Sequence, residues 1–584
     1  MSSPGSSGIP FTVGLGTGLD ALLGLTALQR MYETLPPGDF LEQALERLGV
    51  DVEARDLDRV PADGPAVIVA NHPTGALDGL ALLDALGRRR TDIRVLGNHL
   101  LARIPEMRAW TIPVDAFRPG TAANARGLRL ARRWLERGGA LVVFPAGTVA
   151  RTVDNVGLAL DEPWREGVLR VVGWTGATVV PAHVGGHTSR WFRAVSRIHP
   201  ALGTLLLPRE LLQQAGGSVR VQFGHRVESA RLDAWPSPAA RLAYLRARVQ
   251  SLSAAPGVSH GDALLAPAVI PSLLRREIDG LPDECRLAST RDLVAYQATA
   301  DRIPQTLREI GRLRERTFRA VGEGTGRAID VDAFDERYTH LFLWNRARSE
   351  VVGAYRMGVA DDRHDSPVLY TETLFDWRRR PGACLGQSLE LGRSFVREEY
   401  QREPTALLML WKGIGAFVAR NPALRRLFGP VSISADYHPP TREVITAWLS
   451  RYAAAPAVAT VEPRHPVHCR PEVQLLVDSG AVATLAELDE LVRELEAGRG
   501  LPVLLRQYLR LNGRVLALSR DPDFGNVIDA LVVVDLLEMP AAQLERYCGA
   551  DGAARIREAH RGGGPGKARQ PAGEASVPAM ASSR

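Results

Sequence analysis

Residues 65–79 read PAVIVANHPTGALDG, and this stretch decides the fold of the first half of the chain. The apolar run 65–70 is short and continuous, and it stops abruptly at polar Asn71-His72. Such a run predicts a strand buried on both faces, the kind found in parallel sheets covered by helices. Two similar runs follow, 140–144 (ALVVF), ending at Pro145, and 177–184 (ATVVPAHV). Helical patterns lie between them at 122–137 and 164–174. Buried strands alternating with helices predict an α/β domain whose functional loops follow strand ends.

His72 stands at one of those strand ends, with Asp78 a few residues on. A carboxylate there can fix the imidazole tautomer, leaving the other ring nitrogen to take a proton from a hydroxyl as it attacks a thioester. Gly75 and Gly79 give the loop the freedom to bring the two side chains together. The plainer alternative is a strand-to-helix turn in which His72 caps and Asp78 is solvated.

The second half, beyond a proline-rich stretch at 236–283, offers a different set: Arg314 and Phe318, the acidic run Asp330, Asp332 and Asp335, then Arg356, then Glu390 and Arg393. An amine nucleophile must be held as an ammonium and react as a free amine, and Asp332 and Asp335 suit both tasks. Arg314, Arg356 or Arg393 can clamp a carboxylate through two parallel hydrogen bonds. A helix is expected over about 387–401, which sets Glu390 and Arg393 one turn apart and paired. The alternative is a solvated acidic run and a surface salt bridge of little worth. Other expected elements are helices at about 303–320, 405–420 and 441–451, and strands at 339–345, 350–358, 429–434, 514–519 and 529–535. Asp521, Asp523 and Asp529 read as turn residues, and His183 and His187 as loop histidines.

The segment from 60 to 230 resembles the glycerolipid acyltransferases (lysophosphatidic acid acyltransferases), whose first motif is NH-x4-D and whose third is FPEGTR. Here the aspartate comes one residue late, at Asp78, with Leu77 in its usual place. The third motif reads Phe144-Pro145-Ala146-Gly147-Thr148, without its acidic residue or its adjacent arginine. In that family it is associated with the glycerophosphate acceptor. The resemblance therefore implies substrate binding by Phe144, Pro145, Gly147 and Thr148, a different acceptor, and a partial replacement of the arginine by Arg151. The second-half set is similar to the acyl-homoserine-lactone synthases of the GNAT fold. It implies catalysis by Asp332, Asp335, Glu390 and Arg393, and binding by Arg314, Phe318, Asp330 and Arg356.

Longer strings such as LREIGRLRERTFRAVGEGTG (307–326) and LLMLWKGIGAFV (407–418) resemble the bifunctional ornithine-lipid synthases and related "putative hemolysin" acyltransferases, over about residues 40–540. The resemblance implies N-acylation of ornithine, or a similar amino acid, from a 3-hydroxyacyl-acyl carrier protein by the second half. O-acylation of that 3-hydroxyl by the first half follows. Acyl carrier protein is then co-substrate and partner, with no further cofactor. Two rival readings are a single lysophospholipid O-acyltransferase with a structural GNAT-like half, and a non-catalytic membrane- or carrier-binding protein.

At 584 residues the chain exceeds one core. The expected division is residues 1–8 disordered, 9–265 the O-acyltransferase domain, 266–555 the GNAT-like domain and 556–584 a disordered tail. Four scattered cysteines argue against a disulfide scaffold or a zinc site. A net charge of +6 suits anionic lipid or acyl carrier protein and is too weak to indicate nucleic acid. Residues 9–28 are interrupted by Asp20 and glycines, which predicts a surface segment and not a span. With 198–212 and Arg88, Arg89, Arg90, Arg132 and Arg133, they predict peripheral binding to the cytoplasmic face of the inner membrane.

Overall fold

The structure, a computed structural model, describes residues 23–35, 39–99, 101–115, 120–153, 159–198, 200–253, 263–361, 368–455 and 461–561. The expectations for 1–8, for most of 9–28 and for the tail beyond 561 lie outside the described residues. The tail expected from 556 instead opens inside a helix that runs to Ala559.

The first half is built on a seven-stranded sheet: β1 (Asp51–Arg55), β2 (Ala66–Ala70), β3 (Ile93–Asn98), β4 (Thr111–Val114), β5 (Ala140–Val143), β6 (Thr178–Val184) and β7 (Ser218–Phe223). Their spatial order is β1-β7-β6-β2-β5-β3-β4, parallel except where β6 meets β7. β2 lies between β5 and β6, and its five residues are all buried. Val67 and Val69 feed the core on one face, while Ala66, Ile68 and Ala70 feed the core on the other. A strand with two apolar faces can form only at the centre of a doubly covered sheet, as the run 65–70 demands. Because the neighbouring strands run parallel, the loops after β2 and β5 emerge at one edge, where open α/β sheets place their sites.

The helices that matter here are α1 (Ala76–Gly87), α2 (Arg190–Ile198), α3 (Pro200–Gln213), α4 (Pro238–Gln250), α5 (Pro304–Arg319) and α6 (Pro404–Arg420). Helix α4 starts on Ser237, whose side chain accepts a hydrogen bond from Ala240 N, with Pro238 in the first turn. It packs on the first sheet and on helices Pro439–Tyr452, Pro471–Asp478 and Leu485–Leu495 of the second half. Its Leu245 and Val249 are fully buried, and the polar ends of its long side chains reach across. Arg246 pairs with Glu472 at 3.2 Å, and the Tyr244 hydroxyl donates to Glu494 at 2.8 Å. The two halves therefore share one continuous apolar core through α4.

The second half carries an eight-stranded sheet: β8 (Arg286–Ser289), β9 (Leu293–Thr299), β10 (Thr339–Asn345), β11 (Glu350–Ala360), β12 (Ser388–Val396), β13 (Arg426–Ile433), β14 (Arg514–Asp521) and β15 (Val527–Asp535). The order is β8-β9-β10-β11-β12-β13-β15-β14. Every pair is antiparallel except β12 with β13, which run parallel and stay in register only from Ser388↔Arg426 to Glu390↔Phe428. Past Glu390 the two strands part, and the sheet opens into a wedge.

The helix expected over 387–401 is not there; residues 388–396 are a strand. In SLELGRSFV, Leu389 and Leu391 both enter the core, and that alternation of period two overrides the helical pattern.

Candidate active sites

In the first half, Asn71 is fastened to the end of β6 from both sides. Its Nδ2 donates to Val184 O at 2.9 Å, and its Oδ1 accepts from Val184 N at 2.7 Å. This fixes the direction in which the chain leaves β2. Asp161 then accepts the His72 backbone N–H at 3.0 Å, and Phe144 stacks on the imidazole with centroids 4.3 Å apart.

Asp78 stands in the first turn of α1 and is fully buried. It receives the Gly75 N–H at 2.9 Å, the Thr74 N–H at 3.0 Å, the Thr74 hydroxyl, and His72 Nδ1 at 2.8 Å. Gly75, between the two, has φ 97°, a conformation that favours glycine. A carboxylate can only accept, so Nδ1 carries a proton, and in the neutral tautomer this selects, Nε2 is the nitrogen with the free lone pair. His72 faces a cavity of about 800 Å³ lined mostly by apolar side chains, among them Leu80, Leu83, Met107, Leu207 and Leu211.

Phe144, Pro145, Gly147, Thr148 and Arg151 all line this cavity. Ala146 does not and is buried, and the acids that line the cavity, Asp115 and Glu166, come from outside this motif. Arg151 pairs with Glu162 at 2.9 Å, which leaves it less charge to offer an anion. The sequence reading missed Arg165, which also lines the cavity and whose guanidinium lies over Gly147. No motif signal marked it, since it comes from the loop before the next helix. His183, read as a loop residue, lies in β6, where burial pushes its imidazole down to about 4 and keeps it neutral.

In the second half, the acidic run and the arginines do come together, as one buried network. Arg314 and Asp335 are both fully buried and pair at 2.8 Å. Arg356 pairs with Asp332 at 2.6 Å and Asp335 at 3.3 Å. Burial works against the Asp335 charge, but Arg314 and Arg356 outweigh it and hold its carboxyl below the usual range. Arg393 lies 3.7 Å from Asp330 and 3.9 Å from Asp332, with its guanidinium over the rings of Tyr370 and Phe524.

The expected Glu390–Arg393 pair does not form: the β11–β12 ladder shifts register between Gly392 and Phe395, which takes Arg393 out of the regular strand, and the two side chains go to different partners. Glu390 is buried and accepts from the Tyr338 hydroxyl and, at 2.7 Å, from Thr371 N; burial raises its carboxyl. Arg393 adopts φ 48°, the left-handed region, where the two strands part.

The wedge holds a cavity of about 500 Å³. Of the residues read from sequence, only Phe318 and Arg393 line it; Arg314, Asp330, Asp332, Asp335, Arg356 and Glu390 stand behind. Leu391, Phe395, Leu407 and Leu504 supply an apolar wall, and Arg493, Arg499 and Arg506 basic groups. Two acids missed by the sequence reading also line it, Glu323 and Asp529. Asp529, expected in a turn, is a buried residue of β15. Asp521 does hold a turn, accepting from Asp523 N and Phe524 N. Among the described residues, no group of His, Cys, Asp and Glu is arranged to hold a metal ion.

An acyltransferase family model matches residues 24–255, and an acetyltransferase (GNAT) domain model matches residues 313–412. The glycine N(alpha)-acyltransferase of Phocaeicola vulgatus is 31% identical over 264 residues, which cover 42% of this chain and 80% of that protein. The lyso-glycine lipid O-acyltransferase of Bacteroides thetaiotaomicron is 27% identical over 222 residues, 37% of this chain and 79% of that protein. The crystal structure of the 1-acyl-sn-glycerophosphate acyltransferase PlsC from Thermotoga maritima covers 40% of this chain at 17% identity. Its TM-score of 0.25 is too low to carry residue correspondences. An acyltransferase domain and a GNAT domain in one polypeptide, each half similar in kind to separate N- and O-acyltransferases, place this chain in the bifunctional aminolipid-synthase family.

Proposed function

We propose that the chain makes a two-chain aminolipid by consecutive acyl transfers. The GNAT half N-acylates an amino acid with a 3-hydroxyacyl group from acyl carrier protein. The neutral amine attacks the thioester carbonyl, the C–S bond breaks, and the departing thiolate takes up the proton the amine gives up and leaves as the thiol. The first half then O-acylates the new 3-hydroxyl. His72 Nε2 takes the hydroxyl proton, the oxygen attacks a second thioester, and the thiolate leaves and regains a proton. The observation that carries this reading is the His72–Asp78 contact of 2.8 Å beside an apolar cavity of about 800 Å³, which suits a single-chain lipid. The resemblance implies ornithine as acceptor, whereas the relatives' names speak of glycine.

The test is expression of the full chain in a bacterium that makes no aminolipids, with lipids read by mass spectrometry. N-acyl and N,O-diacyl amino acids are the expected products. A lipid profile unchanged from the empty vector sinks the proposal.

The proposed place of work is an anionic membrane surface. No described helix is long and apolar enough to cross a membrane. Helices α2 and α3, however, turn Phe192, Ser196, Gly203 and Leu207 towards the His72 cavity, while Trp191, Ile198, Leu202 and Leu205 are exposed beside exposed Arg190 and Arg197. Exposed apolar groups with a basic flank suit an interfacial helix pair. Ile198→Glu with Leu205→Glu should lower binding to phosphatidylglycerol vesicles about tenfold, and added salt should lower it further. Undiminished vesicle binding by this double variant removes α2 and α3 from the contact.

A further inference from the structure

The backbone of His72 is fastened on both sides. Its carbonyl accepts from Ala150 N at 2.9 Å, and its N–H donates to Asp161 Oδ1 at 3.0 Å. Asp161 Oδ2 accepts from Trp164 Nε1 at 3.0 Å, and the next residue, Arg165, donates its N–H to the Pro145 carbonyl at 3.0 Å. The loops after β2 and β5 and the segment leading to helix Gly167–Thr175 are therefore laced around one buried carboxylate. Burial raises the Asp161 carboxyl, while the bonds from His72 and Trp164 and the charge of Arg246 oppose that rise.

Arg246 comes from α4, outside those loops, and is buried. Its guanidinium donates to the Asp161 carbonyl at 2.6 Å and pairs with Glu472 at 3.2 Å. Glu472 stands in the first turn of helix Pro471–Asp478, in the second half of the chain. One turn further along α4, Gln250 Oε1 accepts from the Arg470 guanidinium at 3.0 Å, so the start of that helix is tied to α4 twice. Asp161, Arg246 and Glu472 line neither cavity. They form a polar strut that runs from the His72 backbone to the other half, through a core that is otherwise apolar.

We propose that Asp161 is a positioning residue for His72, and that the second half completes the O-acylation site by holding Asp161 through Glu472 and Arg246. The proposal rests on the reading of His72 as the base. A base acts only where its lone pair meets the hydroxyl within hydrogen-bond reach, and a displacement of about 1 Å can cost about 100-fold in rate. Asp78 orients the imidazole ring, and Asp161 holds the backbone that carries it. An amide cannot replace the Asp161 carboxylate. In Asp161→Asn one of the two N–H donors, that of His72 or that of Trp164, faces an NH2 group and is left unpaired.

The test uses the full chain, assayed for O-acylation of supplied lyso-lipid and, in the same preparation, for N-acylation of an amino acid. Asp161→Asn should lower kcat for O-acylation by about 10- to 100-fold while KM for lyso-lipid stays within about twofold. N-acylation and melting temperature should be retained, which shows the variant folded. Hydrogen exchange read by mass spectrometry should be faster than in wild type in peptides covering residues 71–78. Arg246→Met should lower the same kcat about tenfold, and Arg246→Lys, which keeps a cation able to reach one of the two acceptors, should recover part of the loss. Glu472→Gln, at a partly exposed position, should lower it about threefold. Added to Arg246→Met it should cost nothing more, because the two groups act as a unit. Folded Asp161→Asn with wild-type kcat and wild-type exchange overturns the positioning role. Arg246→Met and Glu472→Gln variants that lose both activities in the same proportion overturn the coupling, since α4 then only supports the two halves alike. Wild-type protein that N-acylates but leaves lyso-lipid untouched overturns the reading of His72, and the proposal with it.

Discussion

His72→Ala should lower O-acylation by about 1,000-fold or more while N-acylation continues. Cells expressing the variant should accumulate the N-acylated single-chain lipid in place of the two-chain product. The size of the effect follows from the site's construction. Nδ1 is committed to Asp78 at 2.8 Å, the ring is stacked on Phe144, and its backbone is fastened to Asp161. All of this arranges one lone pair, on Nε2, towards the cavity. Among the described residues, no other histidine lines this cavity. Asp78→Asn should also fall steeply, because an amide in place of the carboxylate can present N–H to Nδ1 and favour the wrong tautomer. Its loss includes a structural part, since Asp78 also receives the Thr74 and Gly75 N–H groups that open α1. Wild-type amounts of two-chain lipid from His72→Ala would remove the base from this assignment.

The two halves were unequally legible in sequence. The first-half site is local: strand, turn and first helical turn are contiguous from 66 to 78, so one short window contains the proposed base, the carboxylate that holds it and the glycine between them. Its α/β class follows from the same window, because a strand with no polar face has only one kind of surrounding. What the window could not show was Arg165, brought over Gly147 by the packing of a later loop.

The second-half site is assembled from distant segments. The arginines and aspartates were readable as a set, but not their depth; most stand behind the cavity. Glu390 and Arg393 were misplaced because the spacing of three suits a helix, while the Leu389/Leu391 alternation that sets the strand is only two residues long. Glu323 carried no signal, and Asp529 was read as a turn residue. Both reach the cavity through long-range pairing: Asp529 stands opposite Ser432 in the β13–β15 ladder, and the Ser432 hydroxyl donates to Glu323.

That difference in depth yields the other large effect, a contrast between two arginines. Arg393→Lys should lose N-acylation by about 100-fold or more while keeping a near wild-type melting temperature. The charge near Asp330 and Asp332 is retained, but the planar fork over Tyr370 and Phe524 is lost. Arg314→Ala should instead cost about 3–5 kcal/mol of stability, because Asp335 is left buried without its 2.8 Å partner. In cells both variants should lack both lipids, since the second transfer needs the product of the first. Supplied with purified lyso-lipid, Arg393→Lys should still O-acylate it, because the two cavities share no lining residue. Arg314→Ala should be impaired there too, since α4 makes one core of both halves and a loosened GNAT half withdraws support from the first sheet. N-acylation at the wild-type rate by Arg393→Lys would mean that the wedge between β12 and β13 is not where the amine reacts. An Arg314→Ala protein with an unchanged melting temperature would mean that the buried network is not what holds this half together.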